Sequence, residues 1–139
     1  MKYFKRCEQN YYMQLCGMCC FPIACANACI YFGKEITDEF LLDSFNTAKC
    51  INGSTINELD TLDYFKLNYK KVKNITNKCG IINIKHAKYN LHSLFYFPEF
   101  NLVNSLLNKN VYKIEYNELL EHLPKYKNQQ HYYEIIGVK

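Results

Sequence analysis

Residues 20 to 32 form an apolar run built mostly from small side chains, CFPIACANACIYF, and Gly33 ends it. Proline in the first turn and glycine just past the last apolar residue are helix start and stop marks. The run therefore predicts a helix with Cys20 at its N-terminus. Cys25 and Cys29 stand four residues apart on one face of it, beside Ala24, Ala26 and Ala28, a pattern that close packing explains. At the other end, the unpaired N–H groups and the macrodipole of a helix N-terminus stabilise an anion. For Cys20 this predicts a lowered thiol pKa and a larger thiolate fraction at neutral pH.

Two more helices are expected downstream. Thr37-Asp38-Glu39 precedes Phe40, Leu41, Leu42 and Phe45, a capped, acid-first start for a helix over 37–47. Thr55-Ile56-Asn57-Glu58 has capping-box spacing and opens an apolar stripe of Ile56, Leu59, Leu62 and Phe65, predicting a helix to about Lys66. The pattern then changes. Residues 69–75, 80–86 and 91–97 are short β-branched or aromatic runs bounded by Asn, Gly and Pro. Pro98-Glu99-Phe100-Asn101 can turn the chain back into 102–107 as a hairpin, 111–114 is a further short strand, a helix fits 116–123, and 131–138 reads as a last strand. Helices first and strands after indicate an α+β fold with an antiparallel sheet.

At 139 residues the chain is expected to be one domain, 1–139, with a single core. The net charge of +4 is spread out, and no basic block is interleaved with aromatics, so nucleic acid is not an expected partner. Residues 1–8 lack the apolar core and small-residue cleavage site of a secretory signal. No stretch reaches the ~18 apolar residues of a membrane span. A cytoplasmic protein is the expectation, its eight cysteines mainly small buried residues. Were the chain exported, the even count would permit disulfides. Cys16 and Cys19 could begin a zinc site, but no second pair stands at zinc-finger spacing, so neither metal nor cofactor is expected.

Acyl chemistry by a thiolate needs a histidine to carry the proton, a group to orient that histidine, and donors for the oxyanion. Gln14 lies six residues before Cys20, close enough for its amide to face the same oxyanion as the Cys20 N–H. His92 falls inside an expected strand, and Asn104 or Asn108 lies on or just after the next one. Cys20, Gln14, His92 and Asn104 are the candidate catalytic set. His86 and His122 read as surface residues.

Gln14-x5-Cys20, Tyr31-Phe32-Gly33 ending thirteen residues after that cysteine, Gly53-Ser54-Thr55, and a His strand followed by an Asn strand resemble the peptidase domains that cut double-glycine leader peptides from bacteriocins. Those are papain-like cysteine peptidases, and the resemblance spans roughly residues 9 to 120 as an order of elements. It implies a papain-like fold with Cys20 as nucleophile, Gln14 as oxyanion-hole donor, His92 as base and Asn104 as its orienting residue. The family has Asp-Cys-Gly at the nucleophile, where this chain has Cys19-Cys20-Phe21. A Cys-Gly occurs at Cys16-Gly17, and Cys16-Gly17-Met18-Cys19-Cys20 partly echoes the papain signature, so Cys19 and Cys16 remain alternatives. His131-Tyr132-Tyr133 is closer to the family's His-aromatic-aromatic strand than His92 is, but it leaves only Lys139 beyond the strand for an orienting residue.

The Cys20-Phe21 start, the helix ending in Phe32-Gly33 and the segment from Ile114 to Leu120 also look like the N-terminal domain of butirosin-type acyltransferases. These move an acyl group from a thioester carrier to an amine through the same acyl-enzyme. The implied substrate is a peptide or a carrier-bound acyl chain. A non-catalytic domain of the same fold is the competing expectation, and oligomeric state stays open.

Overall fold

The computed structural model describes residues 3–7, 10–15, 20–51, 54–55, 57–73, 78–86, 90–97, 101–103, 111–113, 121 and 132–139, with side chains left out at 50–51, 54–55, 83–86, 90–92, 94, 101–103 and 111–113. Its helices are α1 (Cys20–Tyr31), α2 (Asp38–Ala48) and α3 (Glu58–Tyr64). A hairpin of β1 (Phe4–Arg6) and β2 (Tyr12–Gln14) precedes them, and a second of β3 (Cys50–Ile51) and β4 (Ser54–Thr55) separates α2 from α3. The remaining strands are β5 (Leu67–Val72), β6 (Gly80–His86), β7 (Asn90–Phe97), β8 (Asn101–Val103), β9 (Val111–Lys113) and β10 (Tyr132–Val138). They build a six-stranded sheet in the order β5-β10-β6-β7-β8-β9, every pair antiparallel. The fold is α+β, as expected.

α1 is buried along almost its whole length, from Cys20 through Cys29, and packs on β7, β6 and β10 on one side and on α2, α3 and β2 elsewhere. Its small side chains permit this. Ala24, Cys25, Ala26, Ala28 and Cys29 are fully buried, and neighbouring elements approach the helix closely without large side chains in the way. The helix ends where the sequence marks it. Gly33 adopts φ +87, the Gly33 N–H donates to the Ile30 carbonyl at 3.0 Å, and the Lys34 N–H donates to that of Cys29 at 3.0 Å. This is a Schellman closure, which needs the left-handed residue that glycine supplies without strain.

α2 is capped as predicted, the Thr37 hydroxyl accepting the Phe40 N–H at 3.1 Å. α3 starts later than the capping-box spacing suggests. Thr55 is taken by β4, opposite Cys50, and the Asn57 amide donates instead to the Thr47 carbonyl at 3.2 Å, tying α3 to the end of α2. The N-terminal hairpin was not apparent in the sequence, since β1 and β2 are three residues each and β1 is mostly exposed. The expected strand over 102–107 is seen as Asn101–Val103, and the expected helix over 116–123 lies outside the described residues apart from Glu121. Glycine at position 80 reflects a close crossing of strands: a Cβ there would stand 2.8 Å from the Tyr133 carbonyl oxygen of β10. No helix among the described residues is long and apolar enough to cross a membrane.

Candidate functional site

Cys20 is the first residue of α1, and that end of the helix rests on the sheet at β7. The Cys20 Sγ accepts a hydrogen bond from the Ser93 N–H at 3.3 Å. The geometry follows from strand pairing. The described pairing of β7 with β8 ends at Phe95 opposite Val103, and two residues back along β7 the Ser93 N–H is given to the sulfur. Residues two apart share a face of a strand, and Phe95 belongs to the core that contains α1, so the Ser93 face of β7 is the face turned to the helix. Ser93 is itself buried, 7% exposed.

Burial pushes the Cys20 thiol pKa up, while hydrogen bonds from the Ser93 N–H and hydroxyl and from the N–H groups of Cys20 and Phe21 pull it back down. The donors expected at a helix N-terminus are therefore present, but the net direction is the reverse of the sequence-based expectation. Cys20 is 7% exposed, and removing a sulfur from water disfavours its charged form more than these neutral donors favour it.

Gln14 ends β2 and is buried, 3% exposed. Its strand is pinned to α1 by Asn27, whose Oδ1 accepts the Tyr12 N–H at 2.8 Å while its Nδ2 donates to the Tyr12 carbonyl at 3.0 Å. The side-chain amide thus does for β2 what a neighbouring strand's peptide group would do. Asn27 is fully buried in an otherwise apolar helix, and a buried amide needs partners, which is the signal by which it was findable. Ser93 had no comparable signal.

His92 has its backbone in β7, opposite Ile84 of β6 and next to Ser93, with its side chain outside the described residues. His131, His122, Asn104, Asn108, Cys16 and Cys19 lie outside them altogether, Asn104 one position past β8 and His131 one before β10. The start of β10 also approaches the N-terminal turn of α1, where the Tyr133 ring meets Phe21 edge-on, centroids 5.7 Å apart. The structure therefore brings Cys20 to Ser93 of β7 and its neighbour Phe21 to Tyr133 of β10, on a helix that also carries the Gln14 strand.

The other cysteines with described side chains, Cys7, Cys25, Cys29 and Cys79, form no disulfide. Burial pushes Cys29 up to about 12 and Cys25 well above the usual thiol range. Both are inert core residues. Among the described residues no three His, Cys, Asp or Glu side chains converge as a metal site requires. An open cleft at the far end of α1 is lined by Arg6, Asn10, Lys34, Glu35 and Asp38. Its guanidinium is occupied in structure: it donates to the Ile36 carbonyl and, at 2.7 Å, to that of Asn10, lies 3.7 Å from the Asp38 carboxylate, and sits over the Tyr12 ring. In comparisons with family models, with curated proteins and with solved structures, nothing matches this chain.

Proposed function

We propose that this is a papain-like domain that performs acyl chemistry through Cys20, most simply as a cysteine peptidase acting on a peptide. One observation carries the reading: a cysteine sulfur at the first residue of a buried helix, in hydrogen-bond contact with the sheet that the helix packs on. In the proposed reaction the Cys20 sulfur gives up its proton to an imidazole and attacks the substrate carbonyl carbon. The carbonyl electrons move to oxygen, where the Cys20 N–H and the Gln14 amide donate to the oxyanion. Collapse of that intermediate expels the amine, which takes the proton back from the imidazolium. The thioester left on Cys20 is then cleaved by water, or by an amine if the domain is an acyltransferase of a peptide-antibiotic pathway.

Burial raises the thiol pKa of Cys20, and in this reading a neighbouring imidazolium offsets that cost together with the hydrogen-bond donors. His92 with Asn104 is the pair implied by the resemblance. His131, whose local sequence is closer to the family's His-aromatic-aromatic strand, is the alternative base.

The competing reading, a peptide-binding domain without catalysis, is favoured by the same burial that raises the thiol pKa. Acyl transfer from a peptidyl thioester separates them. The catalytic reading predicts an acyl adduct on Cys20, trapped by acid quench and mapped by mass spectrometry, that is absent in Cys20→Ala and falls by 100-fold or so in one of His92→Ala and His131→Ala, the general-base range. No adduct on Cys20, with the peptide still bound, would leave the binding domain as the answer.

A further inference from the structure

β5 stands at one edge of the six-stranded sheet, hydrogen-bonded to β10 on its inner side. The register tells which of its peptide groups face outward. The Ile135 N–H donates to the Cys79 carbonyl at 3.0 Å, so Ile135 turns its peptide groups away from β5 and toward β6. In an antiparallel pair such a residue stands opposite one whose own peptide groups also point away, and Ile135 stands opposite Tyr69. Alternation then turns Leu67, Tyr69 and Lys71 outward and Asn68, Lys70 and Val72 toward β10. The Lys66 carbonyl, which accepts the Lys139 N–H at 2.7 Å, fits the same phase. Among the described residues no strand pairs with the outward groups.

A row of such N–H and C=O groups is a template for another extended chain. Its charge says which chain. Residues 64–79 hold five lysines and no Asp or Glu. Lys66, Lys70, Lys71 and Lys73 are exposed, and among the described residues none of the four is ion-paired. Glu134 of β10, opposite Lys70 in register, lies 3.8 Å from the Lys78 ammonium. A second copy of this chain is a poor occupant, because two β5 edges would set lysines against lysines. Lys70 and Lys71 lie on opposite faces of the strand, so an added strand meets a positive charge on each face. Tyr69, half-buried and edge-on to Tyr133 with centroids 5.7 Å apart, offers apolar surface beside Lys71.

We propose that β5 is a docking strand for an extended acidic peptide segment of another protein, which joins the sheet as a further strand through Tyr69 and Lys71. Main-chain hydrogen bonds hold the segment, and its Asp and Glu side chains, set against Lys70 and Lys71, select it. β10 and β6 lie between β5 and β7, which puts the edge about 14 Å from the strand that Cys20 touches. The docking role is therefore independent of any chemistry at Cys20.

The test is amide hydrogen exchange, followed by NMR on the full chain, free and saturated with the synthetic peptide acetyl-Thr-Val-Glu-Glu-Val-Glu-Val-Thr-amide. In the free protein the Tyr69 and Lys71 amides should exchange fast while those of Lys70 and Val72 are protected. The peptide should slow Tyr69 and Lys71 by about tenfold or more and leave Lys70 and Val72 as they were. Combining Lys70→Glu with Lys71→Glu, both at exposed positions, should weaken the peptide by about tenfold and favour a version in which Lys replaces Glu. Tyr69 and Lys71 amides already protected in the free protein overturn the proposal, as do an acidic peptide that fails to bind at millimolar concentration or binds without slowing them, and equal binding of the lysine peptide by the unaltered chain. Slowing of these two amides with rising concentration of the protein alone would make a second copy the occupant and overturn it as well. Should the doubly substituted chain not fold, the exchange pattern of the unaltered protein with the two peptides decides.

Discussion

Two residues in α1, seven positions apart, divide the work of tying the helix to its surroundings: Cys20 touches the sheet through Ser93, and Asn27 holds β2 through Tyr12. Asn27 makes both of its described bonds to backbone, so its loss leaves a buried N–H and a buried carbonyl at Tyr12. Each such group costs about 1–3 kcal/mol unpaired. Asn27→Leu should therefore destabilise the protein by about 2–4 kcal/mol in urea unfolding. Asn27→Asp, which still accepts from the Tyr12 N–H but sets an oxygen against the Tyr12 carbonyl, should also be destabilising. Gln14 follows Tyr12 by two residues on the same strand, so these variants should lower acylation of Cys20 as well as stability. Equal stability of Asn27→Leu and the parent would contradict the pinning of β2.

At the scale of elements, the pattern was legible wherever a single local signal decided it. Gly33 closes α1, Thr37 caps α2, and the strands at 80–86 and 90–97 fall where runs of Ile, Phe and Tyr stand between turn residues. What escaped was set by partners distant in the chain. Thr55 has helix-capping spacing yet pairs with Cys50, and the three-residue strands β1 and β2 are stabilised by α1 and by aromatic contacts such as Phe4 edge-on to Tyr12, 5.2 Å between centroids. The placement of β10 between β5 and β6 could not be read from the sequence, because it depends on a pairing between residues 80 and 134. Gly80 is the local trace of that pairing, and it permits a test. Gly80→Ala must push against the Tyr133 carbonyl at 2.8 Å, backbone that cannot swing aside. The substitution should cost about 1–3 kcal/mol by loss of midpoint in thermal or urea unfolding. Ser93→Ala, a nearby buried change without such a clash, should cost less.

The whole molecule buries several thiols and phenols in neutral form, and that sets its pH dependence. Cys29 is pushed up to about 12, and burial also raises Cys25, Cys79, Tyr12 and Tyr133. A group whose folded pKa lies above its unfolded value keeps its proton in the fold after the unfolded chain has lost it, so the unfolded state binds fewer protons and stability falls with rising pH. Stability from these groups should be fully present below about pH 8.5, the ordinary thiol value, and decline from there toward pH 12. Cys29→Ala should flatten that decline, whatever it does to stability at pH 7; an unchanged slope would contradict the burial of Cys29 as its cause. The candidate site was only partly readable by the same logic. The place of Cys20 at the start of α1 was legible from helix marks, but whether the sulfur is ionised depends on burial, a property of the assembled core. The account therefore turns on the reactivity of Cys20 in the native protein, measured as its rate of alkylation by iodoacetamide from pH 5 to 10 with each cysteine mapped by mass spectrometry. It predicts that Cys20 reacts at about pH 6 at least ten times faster than any other cysteine, the signature of a thiolate paired with an imidazolium, and that replacing the base histidine abolishes this advantage. Alkylation of Cys20 that begins only above about pH 9, or only on unfolding, would contradict it.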